Sequence, residues 1–163
     1  MGARPVFHYD LSSPFSYLAA MRVDDVMPVK PTWEPVVFGA IIQRRGKVPW
    51  SFEADRSKEF DELARRAAQR GLPELRYPPG WPRESYSVLP LRAALVAGRE
   101  GRIEDFSRAG YEVAFSEGQP LNVLENVLDA AQRAGLDPAV IEAGVQEEGV
   151  KARLRELTER ALE

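Results

Sequence analysis

A short apolar strand, Val6-Phe7-His8-Tyr9, runs into Ser12-Ser13-Pro14-Phe15-Ser16, and this junction limits the possible folds more than any other stretch. The strand is rich in branched and aromatic residues and ends at a turn cluster. Ser13 suits an N-cap, and Pro14 suits the first helical position, where a missing N–H costs nothing. The pattern predicts a strand over Pro5 to Asp10, a tight turn, and a helix from Pro14 to about Met27 that Pro28 and Pro31 prevent from continuing. Thr32 to Phe38 reads as a second strand, with Pro35 marking an edge or a bulge. Two strands joined through one helix should run parallel with a right-handed crossover.

After Gly39 the pattern turns helical and stays so. Ala40 to Arg45 reads as a short helix, followed by a loop holding Gly46, Lys47, Pro49 and Trp50. Asp55 or Ser57 can cap a helix to Arg70 that places Phe60, Leu63, Ala64 and Ala67 on one face and stops at Gly71. Leu72 to Tyr86 holds Pro73, Pro78, Pro79, Gly80, Trp81 and Pro82, the composition of a stiff irregular loop. Further helices are expected over Val88 to Ala97, Arg102 to Ser116, Asn122 to Ala134 and Pro138 to Leu162, the last broken near Gly149. Gly98 and Gly135 stand where helix-terminating glycines belong, and Asp137-Pro138 repeats the cap-and-proline signal. The organisation expected is a β-α-β unit over 1–38 followed by a helical region over 39–163. Two strands form too small a sheet to leave both edges satisfied.

Composition removes several kinds of chemistry. The 163 residues suffice for one core. With no cysteine, the chain has no disulfide and no thiol nucleophile of its own. A single histidine, His8, argues against His-based metal sites and against a Ser-His pair. The net charge of −3, with both signs interspersed, gives no reason to expect nucleic acid or an anionic membrane as partner. The first residues are too polar for a signal peptide, and no stretch reaches the roughly 20 apolar residues of a membrane span. A soluble cytoplasmic protein is the expectation.

The run from Phe7 through Ser12-Ser13-Pro14-Phe15-Ser16 to Leu18 resembles the N-terminal motif of 2-hydroxychromene-2-carboxylate isomerases and kappa-class glutathione transferases, in the DsbA-like branch of the thioredoxin superfamily. Thioredoxin-like folds hold a Cys-x-x-Cys pair at such a turn, and here the spacing survives as Ser13-x-x-Ser16. Leu89-Pro90-Leu91-Arg92-Ala93-Ala94-Leu95 and Ala114-Phe115-Ser116-Glu117-Gly118 resemble later family segments, and Lys151 to Leu154 with Thr158 and Ala161 resembles the helix leading back to the sheet. The resemblance implies an α/β fold: a thioredoxin-like β-α-β unit of the DsbA/kappa type with a large all-helical insertion domain. Family members continue with a Gly-Val-Pro-Thr type strand, a further strand and a terminal helix. A natural or experimental truncation of that β-β-α half is therefore expected, with the exposed edge along Val6 to Tyr9.

What the resemblance implies about function is a thiol carried by a ligand, glutathione or another low-molecular-weight thiol, with Ser13 positioning its sulfur. A helix N-terminus favours an anion by about 0.3 to 1 kcal/mol. Lowering a thiol pKa from about 8.5 to about 7.5 would raise the thiolate fraction at neutral pH roughly eightfold. The implied reaction is cis-trans isomerisation of an unsaturated aromatic small molecule in aromatic catabolism: the thiolate adds, the new single bond rotates, and the thiol leaves. A kappa-like transferase and a noncatalytic thiol-binding or interaction fragment are the alternatives. Relatives are commonly dimeric, which implies a homodimer.

The resemblance and the local sequence together nominate Ser13 as catalytic, Ser12, Ser13, Phe15, Ser16 and Lys47 as cofactor-binding, and Trp50 and Trp81 as substrate-binding. Each has a plainer reading. Ser13 can be an ordinary cap, Ser12 can only shape the turn, and Trp81 can pack against its own domain. His8 reads as structural, and Asp10 as orienting the turn through backbone hydrogen bonds. The arginines at 44, 45, 65, 66 and 70 read as solvated helix faces. Asp24 and Asp25, adjacent on a helix, diverge by about 100° and form no dyad.

Overall fold

The computed structural model describes residues 4–163. Strand β1 (Val6–Tyr9) lies parallel to β2 (Thr32–Pro35), with Val6 opposite Thr32 and Tyr9 opposite Pro35. This pair is the whole sheet among the described residues, so the other edge of β1 carries no strand, as its sequence leads one to expect. Thr32 N–H donates to the Pro5 carbonyl at 2.8 Å and Val36 N–H to the Tyr9 carbonyl at 2.9 Å, which closes the ladder at both ends.

The helix between the strands is shorter than the spacing predicts. It divides into α1 (Pro14–Ala20) and α2 (Val23–Val26), with Met21 and Arg22 between them. The divide has a local cause: Arg22 N–H bonds back only three residues, to the Ala19 carbonyl, and Arg22 leaves helical geometry at φ −132°. Arg70, expected on a solvated face, donates instead to the Leu18 carbonyl at 2.8 Å and fills one of the orphan acceptors of the last turn of α1.

The second strand also ends sooner than predicted. Thr158 Oγ1 and Asp10 Oδ2 accept from the N–H groups of Val37 and Phe38, at 3.1 and 2.9 Å. The chain therefore turns at once into α3 (Phe38–Arg44), and Phe38 starts that helix where a strand had been expected. A 3₁₀ turn (Trp50–Phe52) follows, then α4 (Ser57–Gln69), which Gly71 ends at φ +66°.

Beyond the loop over 70–87, α5 (Val88–Arg99) forms the axis of the helical layer and is packed by α6 (Ile103–Tyr111), α7 (Leu124–Arg133), α8 (Pro138–Gly144) and α9 (Glu148–Arg160). Gly98 lies inside α5 and does not end it; Gly101, at φ +70°, makes the turn instead. The helix expected to reach Ser116 changes pitch at Glu112 into a π-helical stretch to Ser116. There the loop intervenes, because Arg76 N–H takes the Phe115 carbonyl at 2.8 Å. The break expected near Gly149 falls at residues 145–147.

The core runs unbroken from the sheet into the helices. Tyr9, Tyr17, Phe106, Tyr111 and Phe115 are fully buried together, and Leu91, Val96 and Ile141 extend the same cluster into the helical layer. Helix α9 returns to the sheet, packing on β2 and α3, and Arg160 pairs with Glu34 at 2.6 Å. The boundary drawn in sequence at residue 38 is therefore crossed by one continuous core.

Candidate active site

The turn after β1 is built around Asp10. Its side chain is 1% exposed, and its two oxygens accept from three donors: Oδ1 from Ser12 N–H and Ser12 O–H, both at 2.9 Å, and Oδ2 from Phe38 N–H at 2.9 Å. Asp10 does orient the turn, and it also fixes the turn's distance from the start of α3. Burial pushes its carboxyl above the usual aspartate range, and the hydrogen bonds from Ser12 and Phe38, with the Ser87 hydroxyl nearby, pull it partly back. A carboxylate surrounded only by donors can stay charged despite burial.

Ser13 caps α1. Its backbone is extended, its Oγ accepts from Ser16 N–H at 3.2 Å, and Pro14 follows at the first helical position. Opposite the turn, the loop bearing a cis Trp81–Pro82 bond comes back across it, and Trp81 Nε1–H donates to the Ser12 carbonyl at 3.0 Å.

Between turn, loop and α3 lies a cleft of about 280 Å³. Asp10, Ser12 and Ser13 line one side, Val37, Phe38 and Ile42 another, and Trp50, Phe52 and Trp81 supply aromatic wall. Trp50 and Trp81 meet with centroids 5.8 Å apart, and Phe60 and Tyr77 brace them from behind. Arg83 lies over the Phe52 ring at 5.2 Å and lines the same space. A smaller depression beside it, lined by Ser12, Trp81 and Ser85, has room for little more than a water.

The nominated residues divide into two groups. Ser12, Ser13, Trp50 and Trp81 come together around the cleft. Phe15 does not line it; its ring packs edge-on against Trp50 at 5.6 Å and supports the wall. Ser16 is buried, and its Oγ accepts a long 3.4 Å hydrogen bond from Asp10 N–H, so it faces the fold and not the cleft. Lys47 is exposed and stands outside the lining, although Pro49, Trp50 and Phe52 of the same loop belong to it. His8 lies across the strand pair from Glu34 at 3.7 Å, away from the cleft. Asp24 pairs with Arg108, whose guanidinium covers Trp33.

Sequence reasoning missed Phe52, Arg83, Ser85 and Ser87, all of which line the cleft. Ser85 Oγ is buried without a hydrogen-bond partner among the described residues, a feature no local pattern discloses. The Pro-rich character of the loop was the available signal, since a stiff loop can hold side chains against a distant turn. Among the described residues, no cluster of His, Cys, Asp and Glu is arranged to hold a metal ion, and no helix is long and apolar enough to cross a membrane.

A family model described as a DSBA-like thioredoxin domain matches residues 6–163. Among curated proteins, none matches the chain by sequence. Among solved structures, a 2-hydroxychromene-2-carboxylate isomerase superposes with a TM-score of 0.79 at 20% identity, over 96% of this chain and 78% of that one. A probable DsbA oxidoreductase from Streptomyces coelicolor gives a TM-score of 0.67 at 21% identity, over 96% of this chain and 75% of its own.

Proposed function

The chain belongs to the DSBA-like thioredoxin domain family, and within that family we propose that it is a glutathione-dependent cis-trans isomerase acting on an unsaturated aromatic small molecule. The observation that carries this reading is the placing of Ser13, at the head of α1, on the wall of an aromatic cleft. Disulfide exchange at a Cys-x-x-Cys turn needs cysteine thiols, and this chain has none. A thiol brought by a ligand restores the missing nucleophile.

In this reading the sulfur sits beside Ser13, whose O–H is free to donate to a thiolate in a charge-assisted hydrogen bond. Trp50, Phe52 and Trp81 offer flat apolar surface to a planar acceptor. Addition of the thiolate turns a double bond into a single bond, rotation follows, and expulsion of the thiolate restores the double bond. The thiol is not consumed. The α1 helix spans only seven residues, so its dipole is small, and the first-turn amides and the hydroxyl carry the stabilisation.

Incubating the full chain with 2-hydroxychromene-2-carboxylate, with and without glutathione, tests the reading. Isomerisation that needs glutathione and leaves its concentration unchanged supports it. Equal rates in both samples, or stoichiometric loss of glutathione into a conjugate, overturn it.

A further inference from the structure

The two neighbouring serines of the turn have their hydroxyls committed in opposite senses. A hydroxyl has one hydrogen to donate and two lone pairs to accept with. Ser12 Oγ gives its hydrogen to Asp10 Oδ1 at 2.9 Å, which leaves it only lone pairs for a ligand. Ser13 Oγ accepts from Ser16 N–H at 3.2 Å, and its own hydrogen has no acceptor among the described residues. Both serines line the cleft. One is thus prepared to receive a proton, the other to donate to an anion.

From this we infer that Ser12, backed by Asp10, takes the proton of a thiol bound in the cleft, while Ser13 donates to the sulfur left behind. The inference rests on the reading of the cleft as a thiol site. The S–H bond breaks and its electron pair stays on sulfur. The proton passes to Ser12 Oγ as the Ser12 hydrogen moves to Asp10 Oδ1, so a carboxylate becomes a carboxylic acid. The new Asp10 O–H then donates to Ser12 Oγ, and Ser12 donates to the thiolate. Nothing is oxidised or reduced, and the proton returns along the same path when the thiol leaves. Ser12 is the group that touches the thiol, and Asp10 acts through it.

The surroundings of Asp10 suit the role. In the resting state all three of its partners are donors, which is the pattern of an ionised acceptor-only carboxylate. Burial raises its proton affinity, which makes it a better terminus than a solvated aspartate. The titratable groups facing it are the Tyr9 and Tyr111 phenols, from β1 and α6, and burial pushes both above the ordinary tyrosine value, so they stay neutral. Ser87 faces it from the start of α5 and Phe38 N–H from α3. Arg83 is the other charged residue lining the cleft among the described residues.

The test uses the full chain, glutathione as the probe thiol, and two readouts taken together: ultraviolet thiolate absorbance, and proton release measured by calorimetry in buffers of different ionisation enthalpy. Wild type is expected to form bound thiolate at neutral pH without a matching release of protons, because the proton stays on Asp10. Ser12→Ala keeps the backbone N–H at position 12 and the Phe38 contact, so Asp10 stays partnered. In that variant thiolate should appear about one pH unit higher, each thiolate matched by about one proton released. Ser12→Thr, which retains a hydroxyl, should restore the wild-type behaviour. Release of one proton per thiolate by wild type, or identical profiles in wild type and Ser12→Ala, overturns the relay. A thiolate signal weakened by Ser13→Ala and unmoved by Ser12→Ala would leave the thiol site standing and remove the relay alone, whereas no saturable thiolate in wild type removes both.

Discussion

Trp81 Nε1–H donates to the backbone carbonyl of Ser12 at 3.0 Å, across 69 residues of chain. The loop over 70–87 therefore holds the turn from one side while Asp10 holds it from the other. Trp81 both lines the cleft and packs against its own domain. Trp81→Phe keeps an aromatic wall and deletes the hydrogen bond. It should cost about 0.5 to 1.5 kcal/mol in urea unfolding and raise the KM for the thiol, and an unchanged KM would show that the loop does not set the turn.

The buried pair Tyr9 Oη and Ser107 Oγ, 2.7 Å apart, ties β1 to α6. Removing one partner strands the other in a dry core. Tyr9→Phe and Ser107→Ala should each destabilise the chain by about 1 to 3 kcal/mol, and the double variant by clearly less than their sum. A double-mutant cycle in urea checks this; additive losses would mean that the two hydroxyls do not depend on one another.

Gly144 marks the contact of α8 with α5. A Cβ at this position would lie 2.6 and 2.7 Å from the two methyl carbons of Val96, which is buried and stiff at χ1. Gly144→Ala should destabilise by about 1 to 3 kcal/mol through overpacking. Adding Val96→Ala should recover part of that loss in thermal melts, and no recovery would place the strain elsewhere.

Asp10 gives stability a dependence on pH. Burial holds its folded-state proton affinity above that of an unfolded aspartate, whose ordinary value is 3.8. The stabilisation it contributes is complete below that value and is lost as pH rises through the folded value. Surface carboxylates such as Glu62 and Glu117, held low by hydrogen bonds from arginine, act in the opposite sense. The readout is therefore the difference between wild type and Asp10→Asn, which should fall with rising pH. Parallel curves through the acid and neutral range would contradict the assignment.

Much of the site was legible because its signals are local. A cap followed by proline fixes the head of α1, and the cysteine-free spacing Ser13-x-x-Ser16 excludes dithiol chemistry from residue types alone. What was not legible depends on contacts between distant segments. The early end of β2 is set by Asp10 and Thr158 capturing N–H groups 28 and 121 residues away in sequence. The change of pitch at Glu112 involves Arg76, and Ser16 is kept out of the cleft by its burial against the Asp10 N–H. Helical periodicity reports a face and not which neighbour will occupy it.

The proposed isomerase needs a ligand thiol whose sulfur rests against Ser13, and an ultraviolet difference titration with glutathione of wild type beside Ser13→Ala tests this most directly. The expected result is a saturable thiolate signal in wild type that weakens several-fold in the variant, while the lost cap costs the fold only about 1 kcal/mol. Saturable signals of equal strength in the two proteins, or none in wild type, would contradict the account.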